Sequence, residues 1–218
     1  MTGLQRQPRL LTIEGGEGAG KSTVLRALRD ALQADGFEVV GTREPGGTPL
    51  AERIRHLLLD HGDEMLAPEA ELLLMFASRA QHVRETVLPA LARGAWVISD
   101  RFTDSSYAYQ GAARGLDPTL IAELERQLVG IEPGLTLLLD LGVAHARART
   151  RGRDLLGGAA PDRIESERDD FFERVREGFL QRAAQHPQRV RVIDASPDAQ
   201  TVAAAALAAL DAYRAVAA

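Results

Sequence analysis

Leu10-Leu11-Thr12-Ile13-Glu14-Gly15-Gly16-Glu17-Gly18-Ala19-Gly20-Lys21-Ser22-Thr23 decides the fold. Leu10 to Ile13 is a short apolar run with the length and character of a buried strand. Gly15 to Ser22 fits G-x-x-x-x-G-K-[ST], in which glycines let consecutive backbone N–H groups converge on phosphate oxygens at the head of a helix. Val24, Leu25, Leu28 and Leu32 then recur at helical spacing until Asp35-Gly36 stops the helix. Strand, glycine loop and helix in that order form the context the motif requires, against the alternative of an ordinary glycine turn. Lys21 is also the only lysine in the chain; every other residue of the Lys+Arg total is arginine. A compact ammonium fits a loop wrapped round a triphosphate where a planar guanidinium does not. In this motif Lys21 reaches the β and γ phosphates and Ser22 ligates Mg²⁺.

Outward from the loop, strands alternate with helices. Glu38 to Thr42, Ala95 to Ser99, Leu135 to Leu139 and Val190 to Ile193 read as further strands. Helical patterns follow at Leu50 to Leu58, from Pro68 to Arg93 with a bend near Pro89, and from Pro118 to Val129. Others begin near Val143, Ser166 and Asp198. Such alternation predicts a parallel sheet covered on both faces, a P-loop type α/β fold with sites at the carboxyl ends of the strands. The glycine loop, the Arg43-Glu44-Pro45-Gly46-Gly47 turn and Asp100-Arg101 all fall at strand ends. No internal repeat or linker divides residues 1–218, which read as one domain with a lid at about 147–165.

Composition narrows the field. Cysteine is absent, which excludes disulfides, a thiol nucleophile and a cysteine metal site. The histidines have no metal spacing. A net charge of −5 argues against a general nucleic-acid surface. No apolar run is long enough for a bilayer, and Met1 to Pro8 lacks a signal-peptide core, so the expectation is a soluble cytoplasmic protein.

Further candidates follow from position. Asp100 closes a strand where such proteins hold Mg²⁺, the alternative being a turn residue. Arg101 is a phosphate ligand or a surface ion pair. Arg147, Arg149, Arg151, Arg153, Arg163 and Arg168 crowd one stretch. As a lid they would close over phosphates, neutralise the charge spread during phosphoryl transfer and expel water; individually they are also compatible with a solvated helix face. Phe76 and Arg79 share a helical face, either as a base-stacking pair or as a core ring beside a surface charge.

Thr42-Arg43-Glu44-Pro45-Gly46-Gly47-Thr48, Asp100-Arg101-Phe102-Thr103-Asp104-Ser105-Ser106 and Ala108-Tyr109-Gln110-Gly111, taken with the glycine loop, resemble bacterial thymidylate kinases over nearly the whole chain. The resemblance implies a P-loop nucleoside monophosphate kinase with a five-stranded sheet, transfer of the γ phosphate of ATP to dTMP with Mg²⁺, and a homodimer. Gly15, Gly16, Glu17, Gly18, Ala19, Gly20, Lys21, Ser22, Thr23 and Arg147 then belong to the ATP side, with Ser22 and Asp100 on the metal. Lys21, Arg101, Arg151 and Arg163 become catalytic, since the loop interior carries no arginine. Glu17 would lie near the sugar and acceptor phosphate, with Arg55 and Arg101 on that phosphate. Arg79 would meet the thymine carbonyl, Ser106 and Gln110 would approach the ring, and Tyr109 would crowd the ribose 2′ position. Glu44, Pro45 and Ser105 complete this dTMP side, and Pro45 occupies a position that is commonly cis in the family. The stacking ring of the family falls here on Met75, one residue before Phe76, leaving either residue to contact the base.

Another monophosphate or deoxynucleoside kinase of the same fold is the alternative enzyme. A guanine-binding switch would need [NT]-K-x-D, which a chain with its sole lysine in the glycine loop cannot contain. A P-loop motor would leave the Arg-Glu-Pro-Gly-Gly turn and the arginine-rich stretch without a use.

Overall fold

The computed structural model describes residues 3–62, 64–154 and 162–217, with backbone alone for 151–154 and 217. Five parallel strands, β1 (Gln5–Gly15), β2 (Val39–Arg43), β3 (Trp96–Asp100), β4 (Ile131–Asp140) and β5 (Val190–Asp194), form one sheet in the order β2-β3-β1-β4-β5. The helices are α1 (Lys21–Ala34), α2 (Pro49–Leu59), α3 (68–92), α4 (103–113), α5 (118–129), α6 (Val143–Asp154), α7 (Asp169–Gln185) and α8 (Ala199–Ala217). Strands β1 and β4 extend toward the chain's amino end beyond the apolar runs, because pairing of Gln5 with Ile131 continues past a bulge between Gln7 and Leu11.

Period-two alternation on β1 sorts the layers. Leu11 and Ile13 face the core shared with Val24, Leu28 and Leu32 of α1 and Val202, Ala206 and Leu210 of α8. Leu10 faces the opposite core, with Leu72, Phe76, Val83 and Val87 of α3, Phe102 and Ile121. Thr12 and Glu14 have the same parity as Leu10. Thr12 Oγ1 meets Thr136 Oγ1 at 2.8 Å, and Glu14 lies under α4. A third cluster packs Ala108 and Tyr109 of α4 against Phe171, Val175 and Phe179 of α7. Gly178 permits that approach: a Cβ there would lie 2.7 Å from Ala112 Cβ and 3.0 Å from Ala108 Cα.

The bend expected at Pro89 in α3 is instead a π turn at Val83–Val87. Proline lacks an N–H and its ring crowds the carbonyl four residues earlier, so the preceding turn widens and the helix continues. Helix α7 begins at Asp169, three residues later than its apolar pattern suggested. Among the described residues no helix is long and apolar enough to cross a membrane.

Candidate active site

The glycine loop leaves the carboxyl end of central strand β1 and enters α1 at Gly20, whose φ is +91°. At Gly15 a Cβ would lie 2.5 Å from the Leu139 carbonyl oxygen, so only glycine fits between β1 and β4 there. Lys21 Nζ donates to the carbonyls of Gly16 at 2.9 Å and Gly15 at 3.3 Å. Burial, then the Arg101 charge, bring its ammonium down to about 8, against the opposing pull of Asp100 and Glu14. Ala19 is buried, Ser22 is exposed and Thr23 is half-buried.

Arg101 has φ +70°, the one non-glycine residue with positive φ among the described residues. An arginine held in the left-handed region stores strain that its surroundings must impose. Arg101 N donates to Ile13 O at 2.9 Å, Ser99 Oγ donates to Arg101 O at 2.7 Å, and Phe102 N donates to Glu14 Oε1 at 2.7 Å. Ser105 Oγ lies 2.6 Å from Glu14 Oε2. The result aims the Arg101 guanidinium at Ser105 Oγ (3.2 Å) and over the Tyr109 ring (5.0 Å). Glu14 is 1 % exposed. Burial and the nearby Asp104 carboxylate push it up to about 8 against its hydrogen bonds and Arg101, so it holds a proton at neutral pH. Nothing in the sequence flagged Glu14 as part of the site.

Asp100 Oδ1 is buried without a hydrogen-bond partner. An unpaired carboxylate oxygen in the interior is costly unless something positive or donating completes it. Asp100 stands at the end of β3. Among the described residues no group of three or more His, Cys, Asp or Glu could hold a metal on its own. Magnesium, which keeps waters and takes phosphate oxygens with one or two protein ligands, needs no such cage.

Several cavities open around the loop. The first, about 720 Å³, is lined by Glu17, Arg55, Arg101, Ser105, Ser106 and Tyr109, and further by Glu44, Pro45, Met75, Arg79 and Gln110. This gathers the acceptor-side residues expected from sequence, with one correction. Phe76 has 0 % exposure and belongs to the α3 core cluster, while Met75 faces the cavity. Met75 and Arg79 are four apart and share the cavity side, whereas residue 76 is turned toward the sheet beside Leu72. The Phe76 ring supports Arg79 from within, 4.8 Å from its guanidinium carbon.

Arg79 is 2 % exposed and fixed three ways. Nε donates to Glu44 Oε2 at 2.6 Å, Nη1 to Ser106 Oγ at 3.0 Å and Nη2 to Phe102 O at 3.1 Å. Glu44 is held in turn by His82, whose Nδ1 is 2.8 Å from Oε1, while His82 Nε2 is 2.8 Å from Thr42 Oγ1. Burial alone would raise the Glu44 carboxyl; Arg79 and His82 outweigh it and hold it below the usual range. The Glu44–Pro45 peptide is cis, and Arg55 Nη1 donates to Pro45 O at 3.1 Å. Tyr109 is wedged edge-on against Phe171 and Phe179, each 6.1 Å between ring centres. Asp162, Ile164 and Glu165, which no motif singled out, close the same cavity.

On the other side of the loop, about 660 Å³ opens between Gly18, Gly20, Thr23, Arg149 and Pro197. Arg149 donates to Ala195 O (2.9 Å), Ser196 O (3.0 Å) and Pro197 O (3.0 Å), tying α6 to the segment after β5. Arg147 turns toward the return of the lid, with Nε donating to Asp169 Oδ1 at 2.9 Å and Nη1 to Glu165 O at 3.1 Å. Arg163 donates through Nε to Leu58 O at 2.9 Å and through Nη2 to Glu71 Oε2 at 2.7 Å. The backbone of Arg151 continues α6; its side chain and residues 155–161 of the lid lie outside the described residues.

A parallel sheet ordered β2-β3-β1-β4-β5, a glycine loop with its lysine between β1 and α1, and beside it a cavity lined by Arg55, Arg79 and Arg101 define a P-loop nucleotide kinase. The family model for thymidylate kinase matches residues 13–206. Thymidylate kinase of Chromohalobacter salexigens is 56% identical over 198 residues, covering 90% of this chain and 92% of the relative. That of Alkalilimnicola ehrlichii is 53% identical over 195 residues, covering 89% and 88%. The crystal structure of thymidylate kinase from Ehrlichia chaffeensis superposes with a TM-score of 0.74 at 31% identity, covering 95% of this chain and 99% of that one. The chain belongs to the thymidylate kinase family.

Proposed function

We propose that this chain transfers the γ phosphate of ATP to dTMP, giving dTDP and ADP. The observation that carries this reading is Arg79. Three fixed partners leave two of its five N–H groups for the cavity, a preorganised donor for a pyrimidine carbonyl. Arg55 and Arg101 supply cationic forks for the acceptor phosphate. Glu17, which lines the cavity at the loop, lies at the sugar and phosphate end. Glu44, Pro45, Met75, Ser105, Ser106, Tyr109 and Gln110 enclose the nucleoside. Tyr109, pinned by two phenylalanines, leaves a 2′-hydroxyl no room to find a partner.

On the donor side the loop N–H groups and Lys21 take the ATP phosphates, and phosphate oxygens replace the Gly15 and Gly16 carbonyls as acceptors of the ammonium. Closer negative charge raises the lysine from about 8 and keeps it charged during transfer. Ser22 and the unpaired oxygen of Asp100 would hold Mg²⁺. When bound, that ion neutralises charge on the phosphates. Arg151 would stabilise charge that develops on the transferring group, while Arg147, Arg149 and Arg163 are engaged with Asp169, the segment after β5 and Glu71. A cytoplasmic homodimer, as the family resemblance implies, is part of this reading.

An ADP-release assay across the nucleoside monophosphates tests it. dTMP is expected to have the highest kcat/KM. A clear preference for another monophosphate would reassign the chain to a different kinase of the same fold.

A further inference from the structure

Glu71 lies two turns before Arg79 on α3 and is 1 % exposed. It does not line the acceptor cavity, yet its carboxylate is fully engaged. Oε1 accepts from Gln110 Nε2 at 2.8 Å and Oε2 from Arg163 Nη2 at 2.7 Å. Arg114 adds Nε to Oε1 at 3.4 Å and Nη2 to Oε2 at 3.3 Å. Both arginines are anchored elsewhere, Arg163 on Leu58 O and Arg114 on Glu167 Oε1 at 2.6 Å. Burial alone would raise the Glu71 carboxyl; the Gln110 and Arg163 hydrogen bonds and the Arg114 charge outweigh it, so the group is ionised.

An ionised carboxylate can only accept hydrogen bonds. The end of the Gln110 amide that meets Glu71 must therefore be its NH₂, whichever way oxygen and nitrogen are drawn. Gln110 lines the cavity and Glu71 does not. The end of the amide that reaches the cavity is thus the carbonyl oxygen, an acceptor. Ser106, one turn before Gln110 on α4, accepts from Arg79, so the acceptor stands beside a guanidinium that has only donors to offer. A thymine or uracil edge carries a carbonyl O4 beside an N3–H and complements this pair. A cytosine edge carries an amino group beside an unprotonated N3 and opposes it at both positions. With the amide reversed, the cavity would offer donors at both points.

We propose that Glu71 is a positioning residue for base selection: by accepting from Gln110 Nε2 it holds the amide carbonyl toward the cavity, admitting a pyrimidine with an N3–H and refusing one whose N3 is an acceptor. The proposal rests on the reading of the cavity as the dTMP site. Arg114 and Arg163 act behind it, keeping the carboxylate charged.

Glu71→Gln tests it, because a neutral amide of the same shape can donate as well as accept and releases Gln110 to either orientation. The readout is kcat/KM, and Kd by calorimetric titration without ATP, for dTMP, dUMP and dCMP. The dTMP preference over dCMP should fall by at least about tenfold, the order of one mis-set hydrogen bond. The dTMP preference over dUMP should stay within about twofold, since both bases present the same edge. An unchanged dTMP-to-dCMP ratio in a folded variant overturns the proposal, as does an equal loss in both ratios, which would mean general loosening. Wild type failing to prefer dTMP would refute the function, not this step. A measurement on the wild type covers the case of a variant that does not fold. The Gln110 side-chain NH₂ resonance, assigned by its loss in Gln110→Met, should keep its hydrogen-bonded position when dTMP is added. A large shift, showing the NH₂ moved onto the nucleotide, overturns the proposal.

Discussion

Replacing Glu14 by glutamine should stabilise the protein relative to wild type by an amount that grows from about pH 4.5 to about pH 8 and is constant above. The folded state pushes this carboxyl up to about 8, while in the unfolded chain it titrates near 4.5. Between those values the folded state holds a proton that the unfolded state has released. The stability this provides is complete below about 4.5 and is lost as pH rises through about 8. Each pH unit in the window costs about 1.4 kcal/mol, so the full loss approaches about 5 kcal/mol. Glutamine has the shape of the protonated acid: Oε1 still accepts from Phe102 N, and Nε2 donates to Ser105 Oγ. It has no proton to lose. Urea denaturation of both proteins from pH 5 to pH 9 gives the test. The gain of Glu14→Gln over wild type should climb by more than about 2 kcal/mol between pH 5 and 8, allowing half the full linkage. Lys21 titrates with the opposite sign, since its folded value near 8 lies below the ordinary 10.5 and its contribution rises with pH above 8. Glu14 is itself among the charges acting on Lys21, so the comparison is read over the span below pH 8, where the lysine contributes least. A difference that stays flat with pH would refute the reasoning and mean that Glu14 is ionised in the fold.

Lys21→Ala should abolish turnover while leaving the circular dichroism spectrum and melting profile in place, since no other lysine can reach the phosphates; near-normal activity would dismiss the loop assignment. Wild type should favour dTMP over its ribo analogue by at least about tenfold in kcat/KM, the equivalent of about 1.4 kcal/mol. Tyr109→Ala should narrow that gap, and an unchanged preference would shift the reading of the sugar to another residue, Glu17 first. Asp100→Asn should raise the Mg²⁺ concentration for half-maximal rate by about tenfold or more, as expected for loss of a charged ligand. An unaltered magnesium dependence would leave the orphaned oxygen without a metal role.

The strand–loop–helix unit and the parallel sheet were legible in local pattern and a motif of fixed spacing, and most of the cavity lining in the resemblance to thymidylate kinases. What escaped depends on partners far along the chain. Glu14 meets Phe102 and Ser105 across separations of 88 and 91 residues, and at the end of a strand it reads as one more loop residue. Leu72-Leu73-Leu74-Met75-Phe76 is apolar on every side, so periodicity could not decide which of the last two faces the cavity. The structure chooses Met75, because the larger ring completes the core under Arg79. Spacing among the lid arginines was equally silent about carboxylates. Arg163 finds Glu71 at a separation of 92 residues, on a helix that Gln110 also reaches.

A single side-chain amine at the mouth of the phosphate loop also makes the protein its own chemical probe. With its ammonium at about 8, roughly a tenth of Lys21 is free amine at pH 7, where an ordinary lysine offers well under a thousandth. Acylating reagents therefore have one lysine to modify, told apart from the α-amino group by the mass of its peptide. The extent of that labelling, counted by mass, is a direct gauge of how much of the phosphate loop is occupied at any moment.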